Sequence, residues 1–139
     1  MAIQQTLTTS FKLGMVQAEQ DLATDVLKIA LYTAFSDIGP NTTVYTTDNE
    51  VVGTGYTAGG ELLTGVTIAA STNGVIYINF DNVVWSPAAF TCRGALIYNV
   101  TQANKSVAVL DFGSDKTSTN TFTITMPVNT ATTALLRFT

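Results

Sequence analysis

The sequence predicts a mainly β protein: an antiparallel β-sandwich, open to a jelly-roll arrangement, with one short N-terminal helix. Three observations predict it. Threonine, β-branched and strand-favouring, occurs 25 times in 139 residues. Apolar and polar residues alternate at period two in most runs after Val26. Turn signals separate these runs at spacings of roughly 8–15 residues, the rhythm of sandwiches and barrels.

The helix comes first. Over residues 8–22, Thr9 or Ser10 can serve as the cap, and Phe11, Met15, Ala18 and Leu22 recur on one face at spacings of three or four. Gly14 inside it costs about 1 kcal/mol relative to alanine. The period then changes to two in 27–33, where Leu27, Ile29 and Leu31 face one way. Further strands are expected at 62–69, 75–80, 83–86, 90–99, 106–112, 121–126 and 134–138. Their inward sets read as Ile76/Ile78/Phe80, Ala108/Leu110/Phe112 and Phe122/Ile124/Met126. Turns are expected at Ser71-Thr72-Asn73-Gly74, Ser86-Pro87, Thr101-Gln102-Ala103-Asn104 and Gly113-Ser114-Asp115.

Residues 34–61 are less regular. Pro40-Asn41-Thr42-Thr43 reads as a turn, and Thr47-Asp48-Asn49-Glu50 as a capping box opening one helical turn. Residues 53–60, Gly-Thr-Gly-Tyr-Thr-Ala-Gly-Gly, form a glycine-rich loop. No repeat, linker or second domain interrupts the pattern, so one domain over 1–139 is expected, with an N-terminal arm and helix over about 1–24.

Composition removes several kinds of chemistry. The chain has no histidine, so Ser-His-Asp and Cys-His nucleophiles and histidine-ligated metals are excluded. Six basic residues against ten acidic ones, none clustered, oppose nucleic acid and anionic membrane surfaces as partners. A single cysteine, Cys92, rules out an internal disulfide and reads as a small buried hydrophobe. No run approaches the ~20 apolar residues of a membrane span. The N-terminus lacks the basic start and apolar stretch of a signal peptide, so a cytosol-made product is expected and the Asn-x-Ser/Thr triplets at Asn41, Asn99 and Asn104 read as accidents of a threonine-rich chain.

The glycine-rich loop is not a phosphate cradle. Gly53 and Gly55 meet their next glycine at Gly59, off the dinucleotide spacing, and no Lys-Ser/Thr pair follows. These glycines are expected instead to allow positive φ or close backbone approach. Asp21 with Asp25, and Asp111 with Asp115, lack the dense oxygen ligands of a calcium loop. No nucleophile has an identifiable base. No catalytic residue, cofactor site or metal site is expected, and Trp85 reads as a core or interface anchor.

Two stretches carry a resemblance. One joins Leu27-Lys28-Ile29-Ala30-Leu31-Tyr32-Thr33 to Tyr45-Thr46-Thr47-Asp48-Asn49-Glu50-Val51 and on through the loop 53–60. The other is Arg93-Gly94-Ala95-Leu96-Ile97-Tyr98-Asn99 followed by residues 105–116, from Lys105 to Lys116. Together they resemble a family of small virion proteins of tailed bacteriophages, similar in size and β-rich make-up to capsid decoration (cement) proteins. The likeness spans most of residues 8–138, and 49–60 is its most specific part.

The resemblance implies a non-enzymatic structural protein on the outer capsid of the virion, with the major capsid protein lattice as partner. It also implies a homotrimer, matched to three-fold lattice points. Partner contacts are expected from the N-terminal segment, with Ile3, Leu7 and Phe11, and from Thr54, Tyr56 and Thr57 of the loop; the alternative is that both segments fold onto their own sandwich. Tyr56 is the expected anchor, being an aromatic with a polar tip of the kind enriched at interfaces. Two other readings are a tail or neck component, and a fibre-borne carbohydrate- or receptor-binding module using Tyr45, Tyr56 and Trp85.

Overall fold

A computed structural model describes residues 2–138. Its element order is β1 (Thr6–Leu7), α1 (Thr9–Val16), β2 (Leu27–Tyr32), β3 (Glu61–Leu62), β4 (Thr67–Ala70), β5 (Ile76–Asn79), β6 (Val83–Trp85), β7 (Phe90–Asn99), β8 (Lys105–Ser118), β9 (Phe122–Ile124) and β10 (Leu136–Phe138). The strands form a five-stranded sheet in the order β1-β8-β7-β2-β3, a three-stranded sheet β10-β5-β4, and a two-stranded sheet β6-β9. Every pairing is antiparallel. The chain is therefore mainly β with one short helix.

The large sheet has one face on each of two cores. Leu27, Ile29, Leu31, Ala95, Ile97, Ala108 and Leu110 meet Ile78, Val83, Trp85, Ile124 and Leu136 from the two smaller sheets, and Phe80 just past β5. That is the sandwich. On the opposite face, Ala30, Tyr32, Leu96, Tyr98 and Val109 are covered by Ile3 and Ile38, with Tyr45 packed alongside. Burial on both faces explains why β2, β7 and β8 read as nearly continuous apolar runs. Each fully buried Leu or Ile contributes about 1.5–3 kcal/mol relative to exposure.

Several boundaries differ from the sequence reading, each for a local reason. The helix stops at Val16 and is capped by Thr8, whose Oγ1 accepts the Phe11 N–H at 3.2 Å. Ala18, at φ 57°, turns the chain, so Leu22 enters the core from a turn and not from a helix face. The strand expected over 62–69 is two strands in different sheets. Gly65, at φ +64°, turns the chain from β3, on β2, to β4, on β5. Conversely, Gly113-Ser114-Asp115 does not end a strand: β8 runs on to Ser118 through a bulge opposite Arg93.

Candidate functional site

The loop between β2 and β3 returns across the edge of the sandwich, and buried polar chemistry holds it there. Thr47-Asp48-Asn49-Glu50 opens no helix. It is a turn, with Asn49 at φ 61° and the Glu50 N–H donating to the Thr47 carbonyl at 3.2 Å. The Glu50 side chain turns inward instead of capping. Its Oε1 accepts the Tyr45 hydroxyl at 2.7 Å, and its Oε2 accepts the Tyr56 hydroxyl at 2.6 Å and the Gly59 N–H at 2.8 Å. The Tyr56 oxygen in turn accepts the Leu31 N–H of β2 at 2.9 Å.

Tyr98 donates to the Gly59 carbonyl at 2.6 Å and stacks on Tyr45, with ring centroids 4.7 Å apart. Tyr32 closes the group by donating to the Thr46 carbonyl at 2.6 Å. All four phenols are pushed above their ordinary pKa of 10, first by burial; Tyr98 reaches about 12. For Tyr45 and Tyr56 the hydrogen bond to Glu50 adds to burial, because each phenol must keep its proton to donate. Three donors take up three of the roughly four acceptor sites of this carboxylate and hold them inside the fold.

The glycines behave as expected. Gly55 (φ +84°) and Gly60 (φ +78°) lie so close to the Pro87 and Ile29 carbonyls that a Cβ would fall 1.8 Å from each oxygen. Bridges between Thr54 and Ala89, and between Glu50 and Tyr32, complete the stitching.

The expected contact residues separate into two groups. Ile3 is buried against Gly94, Phe11 is fully buried and stacks on Phe138 at 5.9 Å, and Leu7 pairs with Ala108 in the sheet. Tyr56 stacks on Trp85 and meets Phe90 edge-on at 5.8 Å. These four side chains are engaged within their own domain. Thr54 and Thr57 face solvent. Met1 lies outside the described residues.

One exposed apolar surface lies where the sequence reading did not place it. Helix α1 buries Phe11 and Gly14 and turns Leu13, Met15 and Val16 outward, with Val16 86% exposed. Lys12, Met15, Val16 and Phe138 line an open recess of about 410 Å³ beside the end of β10. Met15, expected on the same apolar face as Phe11, is exposed where Phe11 is buried. The signal was present in the sequence: Leu13 and Val16 are three residues apart, on the side of the helix away from Phe11. Val52 in the loop is also almost fully exposed.

Several of the remaining titratable groups have local partners. Asp25 accepts from the Asp21 N–H, Asn99 and Gln102. Burial works to raise its pKa, but those hydrogen bonds prevail and hold it below the usual carboxylate value. Lys105 pairs with Glu19 at 2.7 Å, and Arg93 lies 3.5 Å from Asp111. The Cys92 thiol is pushed up to about 12, chiefly by burial, and so stays protonated at neutral pH. Among the described residues no group of His, Cys, Asp or Glu could hold a metal ion, and no helix is long and apolar enough to cross a membrane. No protein-family model, no curated protein and no solved structure matches the chain.

Proposed function

We propose that the chain is a non-enzymatic bacteriophage virion protein that decorates the outer capsid and stabilises the assembled major capsid shell. The observation that carries this reading is the outward apolar side of α1. Leu13, Met15 and Val16 project from a helix whose other side is anchored in the core through Phe11, so apolar side chains are displayed on a fixed support. A binding face of this kind needs no cofactor, only a complementary apolar seat on the partner. The resemblance to small phage virion proteins supplies the partner's identity, the shell lattice.

Two measurements test it. Particles lacking the protein should lose their shells at a lower temperature than complete particles, and adding back the purified chain should restore them. A Val16→Asp variant, changed at a solvent-facing position, should fold normally and fail to restore stability. Unchanged particle stability without the protein rejects the decoration role. A copy number per particle that follows tail symmetry instead of the shell lattice moves the protein to the tail or neck.

A further inference from the structure

The three-stranded sheet overruns the core at one edge. Along one cross-strand row, Leu136 of β10 and Ile78 of β5 are buried, while Ile68 of β4, on the same side of the sheet, is 47% exposed. The next row, Phe138, Ile76 and Ala70, behaves the same way, with Ile76 and Ala70 exposed. Strand β4 is the outermost strand of its sheet.

The backbone of β4 is half used. Just past the strand, the Ser71 N–H donates to the Val75 carbonyl at 2.8 Å, in step with the β4–β5 register. By alternation, Thr67 and Ala69 direct their N–H and C=O groups to β5, and Ile68 and Ala70 direct theirs to the open edge. Natural edges of this kind are guarded by charge, proline or a bulge. This one has none of them: of the chain's six basic and ten acidic residues, none falls between Leu62 and Phe80, and no proline does either.

We propose that this edge pairs with the same edge of a second copy, antiparallel about a two-fold axis, with Ile68 opposite Ile68 of the other copy. Three features on the chain favour a copy of itself. The open N–H and C=O of Ile68 match their own symmetry mates, as an isologous contact requires. An even register keeps the core-facing side of both sheets on one side, so each Ile68 covers the other. With no charge between Leu62 and Phe80, an identical partner brings no like-charge repulsion to the seam. One short strand is less than the area of a standard stable interface, so the dimer is weak, with Kd on the order of 10 µM.

Sedimentation velocity of the purified full chain over a range of about 1–500 µM tests this, bracketing that Kd. The average mass should rise from 14.7 kDa towards twice that value. Ile68→Lys should weaken association at least about tenfold by placing two like charges face to face. Ile68→Pro removes only the open-edge N–H, leaves the β5 bonds in place, and should do the same. Circular dichroism and the melting temperature of each variant establish that it folds. A monomer at every concentration, a limiting mass three times that of the chain, or a dimer indifferent to a folded Ile68 variant overturns the proposal. Slow amide exchange at β4 seen only on shells overturns it too, by assigning the edge to a shell protein. The sedimentation measurement contains no particles, so its failure leaves the decoration role to its own test.

Discussion

The hydroxyl of Tyr56 sits 2.6 Å from Glu50 Oε2 and 2.9 Å from the Leu31 nitrogen, so one phenol oxygen joins the loop carboxylate to the backbone of β2. The arrangement makes the 45–60 loop part of the sandwich. Removing the carboxylate strands two half-buried hydroxyls and one buried N–H. Glu50→Ala should therefore lower unfolding free energy by about 3 kcal/mol, and Tyr56→Phe by about 1–2 kcal/mol. Urea unfolding measures both. Equal stability of Glu50→Ala and wild type would show that the loop is held by packing alone.

The four phenols predict alkaline sensitivity with a definite sign. Their folded pKa values lie above the unfolded value of 10. Below pH 10 both states keep these protons and the stabilisation is whole; above it the unfolded chain ionises first, so stability falls as pH rises towards the folded values. Tyrosinate absorbance and loss of near-ultraviolet dichroism should develop together above pH 10. Asp25 acts in the opposite direction: its lowered pKa supplies stability above the ordinary 3.8 that is lost as pH falls through its folded value.

Gly60 and Gly74 offer a matched comparison. Both have φ near +80°, but a Cβ at Gly60 strikes the Ile29 carbonyl, whereas at Gly74 it meets nothing within 4 Å. Gly74→Ala should cost only the left-handed backbone penalty, about 1–2 kcal/mol. Gly60→Ala should cost more than about 4 kcal/mol, because backbone must move. Thermal melts of the two variants check the difference.

Phe11 is fully buried and stacked on Phe138, while Val16, on the same short helix, is solvent-facing. Phe11→Ala should destabilise by about 3–5 kcal/mol through the cavity it leaves. Val16→Ala should change stability by less than about 0.5 kcal/mol. Chemical denaturation gives both values. A large loss at Val16 would mean that the helix packs with its other side inward.

Much of this fold could be read from residue order. Strand β7 appears over the expected 90–99, and β2, β5, β6 and β10 lie within one or two residues of their expected runs, because one face on the core keeps alternation in β6 and β10 while burial on both faces gives β2 and β7 nearly unbroken apolar runs. The misreadings came from backbone conformation, which periodicity does not encode. Gly65 and Ala18 turn the chain where apolar residues continue, and Gly113 lets a strand pass where a turn motif stands. The Glu50–Tyr45–Tyr56 network was hidden for a different reason. Thr47 to Glu50 fits a capping box, and nothing local tells a carboxylate that caps a helix from one that turns inward to Tyr45 and Tyr56. Ile3, Phe11 and Tyr56 were expected at partner contacts, and each packs within its own sandwich.

Strand β1 lies at the start of the chain, yet its partners Val109 and Ala108 come near the end, and Thr8 and Ser106 share a 2.8 Å hydrogen bond across the same gap. During synthesis at about 5–20 residues per second, the first strand therefore waits several seconds for the edge it will occupy. The edge β1 covers belongs to β8, which also pairs with β7, and β7 with β2. The central sheet thus cannot close until β8 has been made, and β1, translated about a hundred residues before β8, settles only after it.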